Sequence, residues 1–162
     1  MERPVAFLRV VVAAVSISFM LAGPAASAAS PPVTETTHRH NLVERYVDVA
    51  PSCDGDGPLY SFTTITNTVR HLTVFPDGRV HIATAYTGRF VAEPLDGAEG
   101  PTYSGRFTIK NGGNLDNSVS GIFNYTLSIT GSGSDGSRLR VNAVEHFSLA
   151  PNGTVKLFFR CH

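Results

Sequence analysis

Tryptophan is absent from this chain of 162 residues, cysteine and methionine occur only twice each, and just 16% of the residues are charged. The 13 Lys and Arg are balanced by 13 Asp and Glu, so no excess of one sign steers the protein to nucleic acid or to an acidic membrane. No stretch of helical period runs longer than a turn or two. The longest apolar run, Val10 to Leu21, is about a dozen residues against the roughly 20 needed to span hydrocarbon. What remains is 42% hydrophobic with 15 Gly and 10 Pro, the composition of one turn-rich globular domain rather than of a disordered tail.

The apolar run follows Arg3 and Arg9 and precedes Pro24 and the small-residue string Ala25-Ala26-Ser27-Ala28-Ala29. A basic start, a short apolar centre and an Ala-x-Ala site read as a secretory signal peptide over residues 1–28, which places the mature chain outside the cell without a transmembrane anchor. Cys53 and Cys161 both fall in the mature part. An even count in an oxidising compartment reads as one disulfide, with a pair of buried free thiols as the alternative. Residues 29–41, from Ala29-Ser30-Pro31-Pro32 to His38-Arg39-His40-Asn41, are polar and lack an apolar period, so they are expected to be a flexible lead-in to one domain over residues 42–162. His38 and His40, one residue apart, are too weak a signal for a metal site.

Within 42–162 the period is two, punctuated by Pro76-Asp77-Gly78, Ser134-Asp135-Gly136 and Pro151-Asn152-Gly153. Each reads as a three-residue hairpin loop in which two residues make a type I turn and the Gly closes it in the left-handed conformation. The registers follow: Phe75 faces Arg79, Gly133 faces Ser137 and Ala150 faces Thr154. These pairings put Val119, Gly121, Phe123, Tyr125, Leu127 and Ile129 on one face with Leu139, Val141, Ala143, Phe147 and Leu149. They also put Leu72 and Val74 with Ile82 and Val80. With the less regular runs 42–49 and 59–66, the chain is expected to be all-β, about eight antiparallel strands closing into an up-and-down barrel, with a two-sheet sandwich as the alternative. Cys53 after the first strand and Cys161 at the end of the last would staple the closure. The repeat Thr87-Gly88-Arg89-Phe90, Ser104-Gly105-Arg106-Phe107 and Ser120-Gly121-Ile122-Phe123 sets a Gly on the apolar face of successive strands, where the Phe two residues on can cover a neighbouring Gly at a bend.

No nucleophile elbow, phosphate loop or metal-ligand spacing stands out, so the sequence points to no catalytic residue, metal or cofactor. Asp54-Gly55-Asp56-Gly57 begins like a calcium loop, but Ile65 stands where the closing Glu is required. His71, His81 and His146 fall on the outer face. Glu145 alone contradicts its surroundings, an acid within the series Leu139, Val141, Ala143, Phe147, Leu149 and opposite Tyr125 and Phe159. Either it faces the interior, where it must be paired, hydrogen-bonded or protonated, or a bulge near Val144 or a place at the wet mouth exposes it.

The Arg-rich, Lys-poor mature chain, the leader, the two distant cysteines and the Gly-x-Phe strands resemble small secreted actinobacterial proteins, a likeness that implies no catalytic residue. At fold level the meander is similar to lipocalins and to allene oxide cyclase or dirigent-type barrels, although the lipocalin Gly-x-Trp signature is impossible without tryptophan. The first functional expectation is a non-catalytic exported barrel that binds a small, partly apolar molecule through Tyr86, Phe90, Tyr103, Phe107, Phe123, Tyr125 and Glu145. The second is an extracellular or envelope-associated interaction module whose loops 94–101 and 111–117 meet a protein or glycan. The third is an isomerase or cyclase with Glu145 as its acid.

Overall fold

The computed structural model describes residues 30–53, 55, 57–95, 99–116 and 120–162; the expected signal peptide lies outside them. They form one antiparallel meander in the order of the chain: β1 (Val33–Val49), β2 (Leu59–Val74), β3 (Val80–Pro94), β4 (Tyr103–Asp116), β5 (Ser120–Gly133), β6 (Arg138–Leu149) and β7 (Val155–Cys161). No helix among the described residues is long and apolar enough to cross a membrane.

All three hairpins have the expected register, with Phe75 N donating to Arg79 O at 2.9 Å, Gly133 N to Ser137 O at 2.8 Å and Ala150 N to Thr154 O at 2.9 Å. Gly78, Gly136 and Gly153 sit at φ of 84°, 87° and 80°, the left-handed conformation that closes such loops without a Cβ clash. In two of these turns an Asp braces the tip. Asp77 accepts from Arg79 N and Nε, and Asp135 accepts from Ser137 N at 2.9 Å. Hydrogen bonds from Arg79 and from Ser137 hold the respective carboxyls below their ordinary pKa. A folded-state pKa below the unfolded one gives a contribution that is complete above the unfolded value, about 3.9, and is lost as pH falls through the folded values. The double variant Asp77→Asn, Asp135→Asn should therefore show a flatter acid limb than wild type in chemical denaturation followed against pH.

The expected count of eight strands becomes seven, because the runs near 59–66 and 70–75 are one strand. β2 keeps a single parity from Tyr60 through Thr66 and Thr68 to Leu72, paired to β3 without a break. Threonines on its inner side, of which Thr64 and Thr66 are 4% and 5% exposed, hide that continuity from an apolar-pattern reading. Residues 33–41, expected to be a flexible lead-in, are the first half of β1 and pair with the second half of β2. The register shifts between Arg39 and Leu42, where Asn41 takes φ 54° and its N–H donates to Asn67 Oδ1 at 3.0 Å. Asn is among the few residues that tolerate this conformation, and the bulge switches the inward parity of β1 from odd to even positions. Residues 111–116 are likewise strand rather than loop, pairing with 120–125. Asn111-Gly112-Gly113-Asn114 looks like a turn by composition, but Gly113 is there to receive the Phe123 ring.

The sheet is single, not a sandwich, and no ladder joins β1 to β7, so the expected barrel is not closed by hydrogen bonds. It is curled all the same: Cys53, just beyond β1, and Cys161, at the end of β7, form a disulfide with Cα atoms 5.5 Å apart across 108 residues of chain. The core fills one end of the curl. Tyr60, Phe62, Phe90 and Ala92 are at most 5% exposed, with Tyr103, Phe107, Ile129 and Leu139 packed on them. The glycine repeat makes the inner face tight there. A Cβ on Gly88 would lie 2.6 Å from the Phe107 ring and one on Gly105 2.8 Å from Phe90; farther from the core and outside the repeat, one on Gly113 would meet Phe123. The aromatic of one strand thus lies on the glycine of the next.

Candidate functional site

Reading the registers from strand to strand assigns every inward side chain to a cross-strand row. One row stands apart: Arg70 of β2 faces Thr84 of β3, which faces Asn111 of β4, then Tyr125 of β5, Glu145 of β6 and Phe159 of β7. The row on its core side carries Tyr86, Ile109, Leu127 and Ala143, and the row on its other side carries Leu72, Ile82, Phe123, Phe147 and Leu157. A polar strip, cationic at one end and anionic at the other, therefore crosses the concave face between two apolar margins.

Thr84 is buried, at 6% exposure, while Arg70, Asn111, Tyr125 and Glu145 are half-buried. The Nε of Arg70 is buried without a hydrogen-bond partner. A buried donor without a partner costs about 1–3 kcal/mol, so this one is a place where an acceptor from outside the chain would be favoured. At the other end, Tyr125 has its pKa raised, first by withdrawal from water, then by the facing Glu145 carboxylate and then by Tyr46. Tyr46 comes from β1 and lies flat on Phe62, ring centroids 5.3 Å apart, and its own pKa is raised by withdrawal from water and by Asp48 and Glu44. Glu145 follows the unbroken registers of β6 with both neighbours, so no bulge at Val144 turns it outward; it is on the concave side, half open to water.

The expected lining divides into two sets. Phe90, Phe107 and Tyr103 belong to the packed end, where Phe90 spans Gly105 and Gly131 and Tyr103 meets Tyr60 with ring centroids 5.8 Å apart. Tyr86, Phe123, Tyr125 and Glu145 lie on the half-open stretch of the concave face, and Phe123 also serves Gly113 and meets Phe147 at 6.2 Å. Arg70, Thr84 and Asn111 belong to the strip without having stood out in the sequence; Tyr46, which did not stand out either, sits in the Phe62 row and reaches only the Tyr125 end of the strip. The hairpin at Pro76-Asp77-Gly78 already puts Arg70 opposite Thr84, so that signal was available by counting back from the turn.

On the convex face three imidazoles are hydrogen-bonded to neighbours: His71 with Thr36 at 2.9 Å, His81 with Asn114 at 2.7 Å and His146 with Asn124 at 2.7 Å. No group of three or more His, Cys, Asp or Glu that could hold a metal gathers among the described residues. A notch at the rim of the convex face is bordered by Asp116, Ile122, Ser148 and Lys156. No protein-family model, curated protein or solved structure matches the chain.

Proposed function

We propose that this is an exported protein that binds a small, partly apolar molecule on the concave face of its open sheet and does no chemistry on it. The observation that carries the reading is the polar strip from Arg70 to Glu145 between two apolar rows. Such a strip orients the polar group of an amphiphile while the margins take its hydrocarbon or ring. The unpartnered Arg70 Nε supplies a donor, Asn111 and Tyr125 can donate and accept, and Glu145 accepts. The leader sequence and the disulfide support export, since such bonds persist in oxidising compartments.

The test is native mass spectrometry of the protein recovered from its own culture medium, set against its denatured mass. A reproducible excess mass that leaves on unfolding is the expected result and reveals the ligand class. Arg70→Gln and Glu145→Gln should each weaken retention of that molecule about tenfold, the worth of a hydrogen bond to a charged group. A bound molecule held equally well by both variants would move the site away from the strip, and an apo mass together with no uptake of an added amphiphile would end the reading.

A further inference from the structure

Among the described residues β1 and β7 each pair with one strand only, and these two edges are differently equipped. β1 is interrupted by the bulge at Asn41 and carries Glu35, Arg39, Glu44, Arg45 and Asp48, the charges and irregularity with which proteins keep an edge from pairing. β7 is regular and confines its two charges, Lys156 and Arg160, to the convex side, with Val155, Leu157, Phe158 and Phe159 exposed at 56%, 58%, 55% and 58%.

The hydrogen-bond phase of β7 is known from its last pair, in which Asn142 and His162 each donate to the other at 2.8 and 2.9 Å. Antiparallel ladders alternate, so the even-numbered residues of β7 bond to β6, and Val155, Leu157 and Phe159 turn their N–H and C=O outward. β1 of the same chain runs parallel to β7 and makes no ladder with it, so among the described residues those groups have no strand partner.

The geometry points to a second copy of this chain as that strand, added antiparallel through β7 about a twofold axis at Leu157. Centred there, Leu157 exchanges both hydrogen bonds with its own counterpart, and Val155 does so with the counterpart of Phe159. The three exposed concave side chains then cover one another. On the convex side each Lys156 meets the other copy's Phe158, a cation-on-ring contact with no like charges opposed. Moving the axis to Lys156 sets lysine against lysine, and moving it to Phe158 sets Lys156 against Arg160. Pairing β7 with another copy's β1 would leave an edge free at each end and grow a filament, whereas the twofold closes at two.

Sedimentation equilibrium of the disulfide-bonded protein over a dilution series reads this directly. A monomer–dimer equilibrium is expected for wild type. Leu157→Pro removes a donor that β6 does not use and should leave a folded monomer. Phe158→Lys, which opposes Lys156 twice per dimer, should weaken association about tenfold, while Phe158→Glu should retain or tighten it. The exposed Phe158 pair keeps the test standing if the proline variant fails to fold. Overturning results are a wild-type monomer at every concentration, assembly beyond two, dimerisation indifferent to both Leu157→Pro and Phe158→Lys, or Phe158→Glu weakening as much as Phe158→Lys.

Discussion

Gly105→Ala should cost about 3 kcal/mol, the upper range for forcing atoms into a filled interior, and move the urea midpoint far below that of wild type. A Cβ at this position would run into Thr130 O, lie 2.7 Å from Gly131 Cα and 2.8 Å from the Phe90 ring. Two of those neighbours are backbone of the adjacent strand and cannot rotate away, and the third is a core ring at 5% exposure. Gly112→Ala is the matched control, since its Cβ would come no nearer than 3.2 Å to Ile82 O and 3.9 Å to Ala83 Cα. That variant should melt within a few degrees of wild type, consistent with a change of less than about 1 kcal/mol. Urea unfolding of the two variants side by side separates a tightly apposed strand pair from a generic intolerance of side chains at strand glycines. Equal stability of Gly105→Ala and Gly112→Ala would mean that the aromatic-on-glycine packing does not hold the curl.

Loss of the Cys53–Cys161 disulfide has the second large effect. In the chain-entropy description a bond closing 108 residues lowers the free energy of folding by about 4–5 kcal/mol, and a single domain of this size has only about 5–15 kcal/mol in all. Here the bond also does what hydrogen bonds do not, tying the end of β7 to the turn after β1 across an unlaced seam. The double variant Cys53→Ala, Cys161→Ala should melt on the order of 10 °C or more below wild type, and reduction should have the same effect on the native chain. Because the seam rather than the core is released, the loss should begin at β1 and β7: hydrogen exchange in those strands should rise first, while β3 and β4 stay protected. Uniform loss of protection would show the curl to be self-supporting without the staple.

The candidate strip shows where sequence reading succeeds and where it stops. Glu145 stood out because it breaks an apolar series, and the hairpin registers placed it between Tyr125 and Phe159, where the structure has it. Arg70, Thr84 and Asn111 did not stand out, because each lies in a segment whose composition reads as polar surface or turn. Only the rows that join all the strands show them to share one side with Glu145. Tyr46 was hidden for another reason: Val43, Val47 and Val49 make the odd positions of 42–49 the more apolar set, whereas the pairing with β2 turns the even ones inward, Tyr46 opposite Phe62.

Legible from the residues alone were the all-β class, the meander order, three hairpin registers, the glycine–aromatic apposition and the cysteine pairing. All of these rest on local physics: period two, turns that need a left-handed glycine, and the fact that a register once set at a turn propagates along the strand. Whether the first and last strands would meet was a tertiary matter. It depended on the strand count, and that in turn on a threonine-rich β2 running unbroken from Leu59 to Val74. Seven is odd, so in a meander β1 and β7 point the same way, and closure would need a parallel ladder in a sheet built of antiparallel ones. The same parity brings the ends of β1 and β7 to one end of the sheet. There the disulfide holds the curl, while farther along the seam the concave strip and the edge of β7 stay open.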